Sequence, residues 1–115
     1  MEKDELPVAQ KIKYLQDTLY TISGKWKLPI LMAMYGGACR FSEIQRSVSA
    51  ITTKVLSKEL KDLEEHKLIS RAIDEAYPLT ITYHLTPYAF TLTPMVDEMI
   101  NWGRNHRLKV ADKIT

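Results

Sequence analysis

Between Ile51 and Leu85 the hydrophobic period changes from that of a helix to that of a strand, and this change constrains the fold more than any other feature. Leu56, Leu60 and Leu63 recur at spacings of four and three, one stripe of a helix. Ile81, Tyr83 and Leu85 alternate with Thr80, Thr82 and His84, the period-two pattern of a half-buried strand. Leu68 to Ile73 and Leu79 to Leu85 thus read as two strands, and Asp74-Glu75-Ala76-Tyr77-Pro78 is the turn between them. The rest of the chain has helical spacing. The expected fold is mainly α with one small β-hairpin, an α+β chain with no larger sheet.

The helices on either side can be placed from their breakers and caps. Pro7 stands where a helix can start, and Val8, Ile12, Leu15, Leu19 and Ile22 follow at spacings of four, three, four and three, up to Ser23-Gly24. A mostly apolar helix runs from about Lys25 to Tyr35 and is closed by Gly36-Gly37, with Pro29 confined to its first or second turn. Ser42 is a candidate cap for a short helix from Glu43 to Val48, and Thr52 or Thr53 caps a fourth helix reaching about His66. Thr86-Pro87 opens another helix, and Thr93-Pro94 repeats the signal, so a break is expected there. A short helix, a tight connector, a longer basic helix and a hairpin make a winged helix-turn-helix, in which the second helix of the pair enters the DNA major groove. The 115 residues form one domain, 1–115, with the helix-turn-helix at 42–66 and the wing at 68–85.

The fourth helix carries the chemistry. At 100° per residue, Lys54, Ser57, Lys58 and Lys61 fall within roughly a 100° arc, opposite Leu56, Leu60 and Leu63. Ammonium groups neutralise phosphates and release counterions. Lys, Ser and Thr can also donate to base edges. Thr52, Thr53 and Lys54, at the N-terminal end, would meet the duplex first. Glu59, Asp62, Glu64 and Glu65 lie on the same helix and can pair with these lysines.

Charge is unevenly placed. The net charge is only +2, but residues 40–71 hold seven basic and five acidic residues, and 72–98 hold four acids and no Lys or Arg. Residues 99–115 return to a balance of +3. Enzyme chemistry finds no support. His66, His84 and His106 have no metal-ligand spacing, and the chain has no Gly-rich phosphate loop, nucleophile elbow or CxxC. Neither a metal nor any other cofactor is expected. The one cysteine, Cys39, excludes an intramolecular disulfide, and its bland reading is a small packed residue beside a short strand before Arg40. No run of about 18 apolar residues occurs and the charged N-terminus lacks a signal-peptide core, so no membrane contact and a reducing bacterial cytoplasm are expected.

Several segments, in order and spacing, resemble the HxlR-type winged helix-turn-helix transcriptional regulators of bacteria. They are Ile22-Ser23-Gly24-Lys25-Trp26, Arg40-Phe41-Ser42-Glu43-Ile44, Ile51-Thr52-Thr53-Lys54-Val55-Leu56, Leu60-Lys61-Asp62-Leu63-Glu64-Glu65, Tyr83-His84-Leu85-Thr86 and Trp102-Gly103. The resemblance implies sequence-specific binding of double-stranded DNA by a homodimer at a palindromic operator. It places Thr52, Thr53, Lys54, Ser57 and Lys58 on the recognition helix, with a backbone-phosphate contact at Ser42. It also implies that the first and last helices, 1–23 and 94–112, form the dimer interface. Val8, Ile12, Leu15, Leu19, Val96, Met99 and Ile100 are the apolar residues for that role, although such stripes can equally pack on the monomer's own core. Trp26 is expected in the core.

Two departures from the family pattern stand out. Many members carry a Cys-Pro pair near the start of the first helix, where this chain has Lys13-Tyr14, so the usual sensor thiol is missing. Many also carry an Arg just after the Pro of the wing turn, suited to a narrow minor groove. Here Leu79 or Thr80 stands there; Arg71 is the nearest cation, and Tyr77, Thr80 and Thr82 are left to give neutral hydrogen bonds. The cation-free wing leaves open a second reading, a protein-interaction module without DNA binding. A third is an effector-sensing regulator with a small-molecule pocket at the dimer seam, lined by Tyr14, Tyr20, Tyr88 and Phe90.

Overall fold

The computed structural model describes residues 5–112. Its elements are α1 (Val8–Ile22), α2 (Lys27–Tyr35), α3 (Phe41–Ser47), α4 (Thr53–Glu65), β1 (Ile69–Asp74), β2 (Thr80–Leu85), a 3-10 turn (Pro87–Leu92) and α5 (Thr93–Ala111). The expected order is present throughout.

Local chemistry explains the boundaries. Pro7 precedes α1, and its carbonyl accepts from the N–H groups of Gln10 and Lys11 at 3.0 Å. Pro29 is the third residue of α2, where its missing N–H would have no helical partner anyway. Thr52 caps α4, its hydroxyl accepting from the Val55 N–H at 3.2 Å. Thr86 caps the next segment by accepting from the Ala89 N–H at 3.3 Å. The break expected at Thr93-Pro94 is real: the chain winds as a 3-10 turn before it and as an α-helix after it.

Ser42 does not cap α3. The helix begins one residue before it, with Arg40 at the cap position. Glu43, three residues on, reaches back instead: its Oε1 accepts from the backbone N–H of Arg40 at 2.9 Å and of Cys39 at 3.1 Å. One carboxylate satisfying two free N–H groups makes a capping serine unnecessary.

β1 and β2 are antiparallel, with Ile69 opposite Leu85 and Asp74 opposite Thr80. Cys39 adds a short third rung, its carbonyl accepting from the Tyr83 N–H at 2.7 Å. Tyr83 and Leu85 pack on the core, as their alternation implied. That core comprises Ile30, Leu31 and Met34 of α2, Ile44 of α3, Leu56, Leu60 and Leu63 of α4, Val48 and Ile51 of the connector, and Leu68, Ile69 and Ala89. Trp26 is half-buried against it, also as expected.

α1 and α5 stand apart. Among their residues only Ile22 and Val96 are buried. The molecule measures 58 × 40 × 22 Å with a radius of gyration of 17.4 Å, where a compact domain of this length has about 13 Å. It exposes 8891 Å². A compact monomer of 13.3 kDa exposes about 6,500 Å².

Candidate nucleic-acid interface

α4 presents Thr53, Lys54, Ser57, Lys58 and Lys61 to solvent, while Leu56, Leu60 and Leu63 are fully buried beneath them. Burial of the leucine stripe fixes the rotation of the helix, and the rotation aims the lysines outward. The α3–α4 connector is tight. Val48 and Ile51 point into the core, and Ala50 adopts a φ of 70°, a left-handed conformation that lets the chain reverse in four residues. Gln45 of α3 spans this turn, donating to the Ile51 carbonyl at 3.3 Å and to Thr53 Oγ1 at 3.2 Å. It thereby orients the first turn of α4.

The lysines are not equivalent. Lys58 is paired with Asp62, Nζ to Oδ2 3.0 Å. Lys54 and Lys61 have no ion-pair partner among the described residues. Asp62 also faces Lys27 of α2 at 3.5 Å, and Lys27 is bound to Glu59 at 2.5 Å. The side chains of Lys27 and Glu59 are only 12% and 13% exposed, so this pair fastens α2 to α4 out of most solvent screening. The Lys58 hydrogen bond, then the charges of Lys58 and Lys27, hold the Asp62 carboxyl below its ordinary range. The same bond raises the Lys58 ammonium. The two backbone donors at Arg40 and Cys39 lower Glu43 likewise.

The remaining candidates spread outward from α4. Ser42 lies exposed on α3, with no hydrogen bond to its hydroxyl among the described residues. Thr52 spends its oxygen on the cap. Arg71 sits opposite Tyr83 in the hairpin and lines a groove against α4 with Ser57, Lys61, Glu64 and Glu65. It belongs to the helix–wing groove, not to the wing tip. Tyr77 at the tip is fully exposed, and Thr80 donates to the Pro78 carbonyl at 3.1 Å within the same turn.

At the other end, Val8, Ile12, Leu15, Leu19, Met99 and Ile100 are all exposed. Val96 departs from expectation. It is buried by its own chain, because it is on the side of α5 that faces Met32 and Tyr35 of α2. The four aromatics expected to line a pocket at the dimer seam make no ring contact with one another among the described residues. Tyr20 meets His66 edge-on at 5.9 Å, Phe90 meets Tyr35 at 5.5 Å, and Tyr14 and Tyr88 have no ring contact among the described residues.

Sequence reasoning missed Lys27, Gln45 and Glu43, whose contacts fix α2, α3 and α4 relative to one another and to the connector. Lys27 left a trace, since a lysine in a nearly all-apolar helix requires an opposite charge nearby. For Gln45 nothing short of the folded turn would reveal its partners. No cluster of three or more His, Cys, Asp or Glu among the described residues could hold a metal, and no helix among them is long and apolar enough to cross a membrane.

A helix with lysines on its solvent face, set on a trihelical core and flanked by a two-stranded hairpin, defines a winged helix-turn-helix protein. The HxlR-like helix-turn-helix family matches residues 21–110, and the chain belongs to it. An HTH-type transcriptional regulator of Halalkalibacterium halodurans, BH0655, is 38% identical over 99 residues, covering 81% of this chain and 88% of its own. YtcD of Bacillus subtilis, another HTH-type transcriptional regulator, is 36% identical over 84% of this chain and 79% of its own. Among solved structures, a regulator from Enterococcus faecalis V583 described as of the MarR family superposes with a TM-score of 0.76, at 28% identity over 96% of this chain and 98% of that one. The redox regulator HypR in its reduced form also gives 0.76, at 34% identity over 82% and 93%. The protein is a DNA-binding transcriptional regulator of this class and not an enzyme.

Proposed function

We propose that the protein binds a palindromic operator as a homodimer and reads its sequence with α4. The observation that carries this reading is the solvent face of α4, where Lys54, Ser57 and Lys61 are exposed without side-chain partners among the described residues while the opposite face is locked into the core. Two free ammonium groups and a hydroxyl on a helix of this exposure suit phosphate and base-edge contacts. The N-terminal turn, braced by Gln45 and capped by Thr52, is the part that enters the groove.

Dimerisation is supported by the surface left over. The excess over a compact monomer, roughly 2,400 Å², is of the size that obligate interfaces cover. It includes the exposed apolar residues of α1 and α5. Such a dimer would set two copies of α4 about 34 Å apart, one turn of the duplex.

Selection of bound sequences from random DNA tests the whole reading. The expected result is an inverted repeat with half-sites about 10 base pairs apart. In gel shifts, Lys61→Ala should reduce the slope of log affinity against log salt by about one, the loss of a single phosphate contact. Failure to bind any duplex at low salt would overturn the proposal.

A further inference from the structure

The ion pair on α4 has a direction. Asp62 stands between Lys58, which is 71% exposed, and Lys27, which is 12% exposed. Lys27 cannot move far, because it also holds Glu59 in a largely buried pair. The Asp62 carboxylate is therefore anchored from behind, and it draws Lys58 toward the α2 side of the helix face. Lys61, one turn along, faces the wing groove and is unrestrained by any ion pair among the described residues. Two lysines on one face thus start from different states.

We propose that Asp62 is a specificity-determining residue: it withholds Lys58 from non-cognate DNA, so that Lys58 engages only where the fitted operator interface offers more than the carboxylate does. This inference rests on the DNA-binding reading above. A free lysine attracts any phosphate at any sequence. A lysine that must first leave a fixed carboxylate gains little from a loosely docked duplex, because the lost pair offsets the new contact. It gains more when a docked complex places a phosphate or a guanine edge within reach in the right geometry.

The test is a double-mutant cycle read on two DNAs, the selected operator and a random duplex. Asp62→Asn should raise affinity for random duplex by up to about fivefold, the ordinary worth of an exposed ion pair. It should also steepen the salt dependence by about one, as Lys58 joins the phosphate contacts. Neither change should occur when Lys58→Ala is already present. Glu65→Gln removes the same charge from the same helix without an ion pair to release, and should leave the salt slope unaltered. Read without touching Asp62, Lys58→Ala should weaken random-duplex binding less than Lys61→Ala does, while still weakening operator binding. Melting curves of each variant establish that it is folded. If Asp62→Asn acts equally with and without Lys58, or no more than Glu65→Gln, the effect is general charge and the proposal is wrong. If Lys58→Ala and Lys61→Ala weaken random-duplex binding alike, it is likewise wrong. A wild-type protein that binds no duplex would sink this inference together with the function it rests on, whereas binding without coupling would sink this inference alone.

Discussion

Thr93 Oγ1 is buried without a hydrogen-bond partner among the described residues. A buried orphan hydroxyl loses its hydration and receives nothing in return. The carbonyl four residues back, on Ala89, accepts instead from the Tyr35 hydroxyl at 2.7 Å. Thr93→Val, which keeps the shape and removes the polar atom, should stabilise the protein by about 1 kcal/mol in chemical denaturation. Lys67 is a second residue held against its preference. It has a φ of 65° and closes α4, its N–H donating to the Glu64 carbonyl and that of Leu68 to the Leu63 carbonyl, both at 3.0 Å. Glycine is the usual occupant of that position. Lys67→Gly should therefore raise stability, by about 1 kcal/mol at most. The Lys27–Glu59 pair behaves in the opposite sense. Lys27→Met strands the Glu59 carboxylate in a mostly covered site and should cost about 2 kcal/mol, between the exposed and fully buried cases. Adding Glu59→Leu should recover most of that loss.

Among the elements, α3 depends most on one side chain. Glu43 closes its N-terminus by binding two backbone N–H groups, and its carboxyl is held below the ordinary range by them. A lowered folded value means that the stabilisation is present above the unfolded pKa, about 4.3 for glutamate, and is lost as pH falls through the folded value. Wild-type protein should lose stability across that acid window, and Glu43→Gln should lose less there while being weaker at neutral pH. Parallel urea titrations at several pH values check both points. The wing carries little positive charge. Ile73, Tyr77 and Leu79 are exposed at its far end, and its one cation, Arg71, is turned into the groove beside Lys61. Any electrostatic grip on the backbone thus concentrates along α4 and the groove.

For the whole molecule, the outlying α1 and α5 are what make it extended. α1 buries one residue and leaves Val8, Leu15 and Leu19 more than half exposed. Nothing among the described residues covers that face, and a second copy of the same face is the simplest apolar cover available in a symmetric assembly. Leu15→Glu with Leu19→Glu should turn a dimer into a monomer in sedimentation experiments while the helix-turn-helix core stays folded, since neither residue belongs to that core. Operator affinity should fall steeply with the same change, because two half-sites would no longer be bound by one particle.

The order of elements, the leucine stripe of α4, the caps at Thr52 and Thr86 and the break at Thr93 were all legible in the sequence. Each rests on interactions within a few residues, and local spacing encodes those. The basic arc on α4 was legible for the same reason: helical periodicity alone puts Lys54, Ser57, Lys58 and Lys61 together. What periodicity cannot carry is which neighbour across space a side chain meets. Ser42 looked like a cap until Glu43 was seen to reach back, and Val96 looked like its exposed companions until α2 was seen to cover it. The sequence likewise offered four acids on α4 as possible partners for its lysines. The i,i+4 pair of Lys58 with Asp62 is within reach of local spacing, but only the packing of α2 beside α4 decided that Glu59 takes Lys27 and that Lys27 also faces Asp62, while Lys54 and Lys61 keep no ion-pair partner among the described residues. Charge on one helix is a local property, but its availability to a partner is set by the helices packed around it.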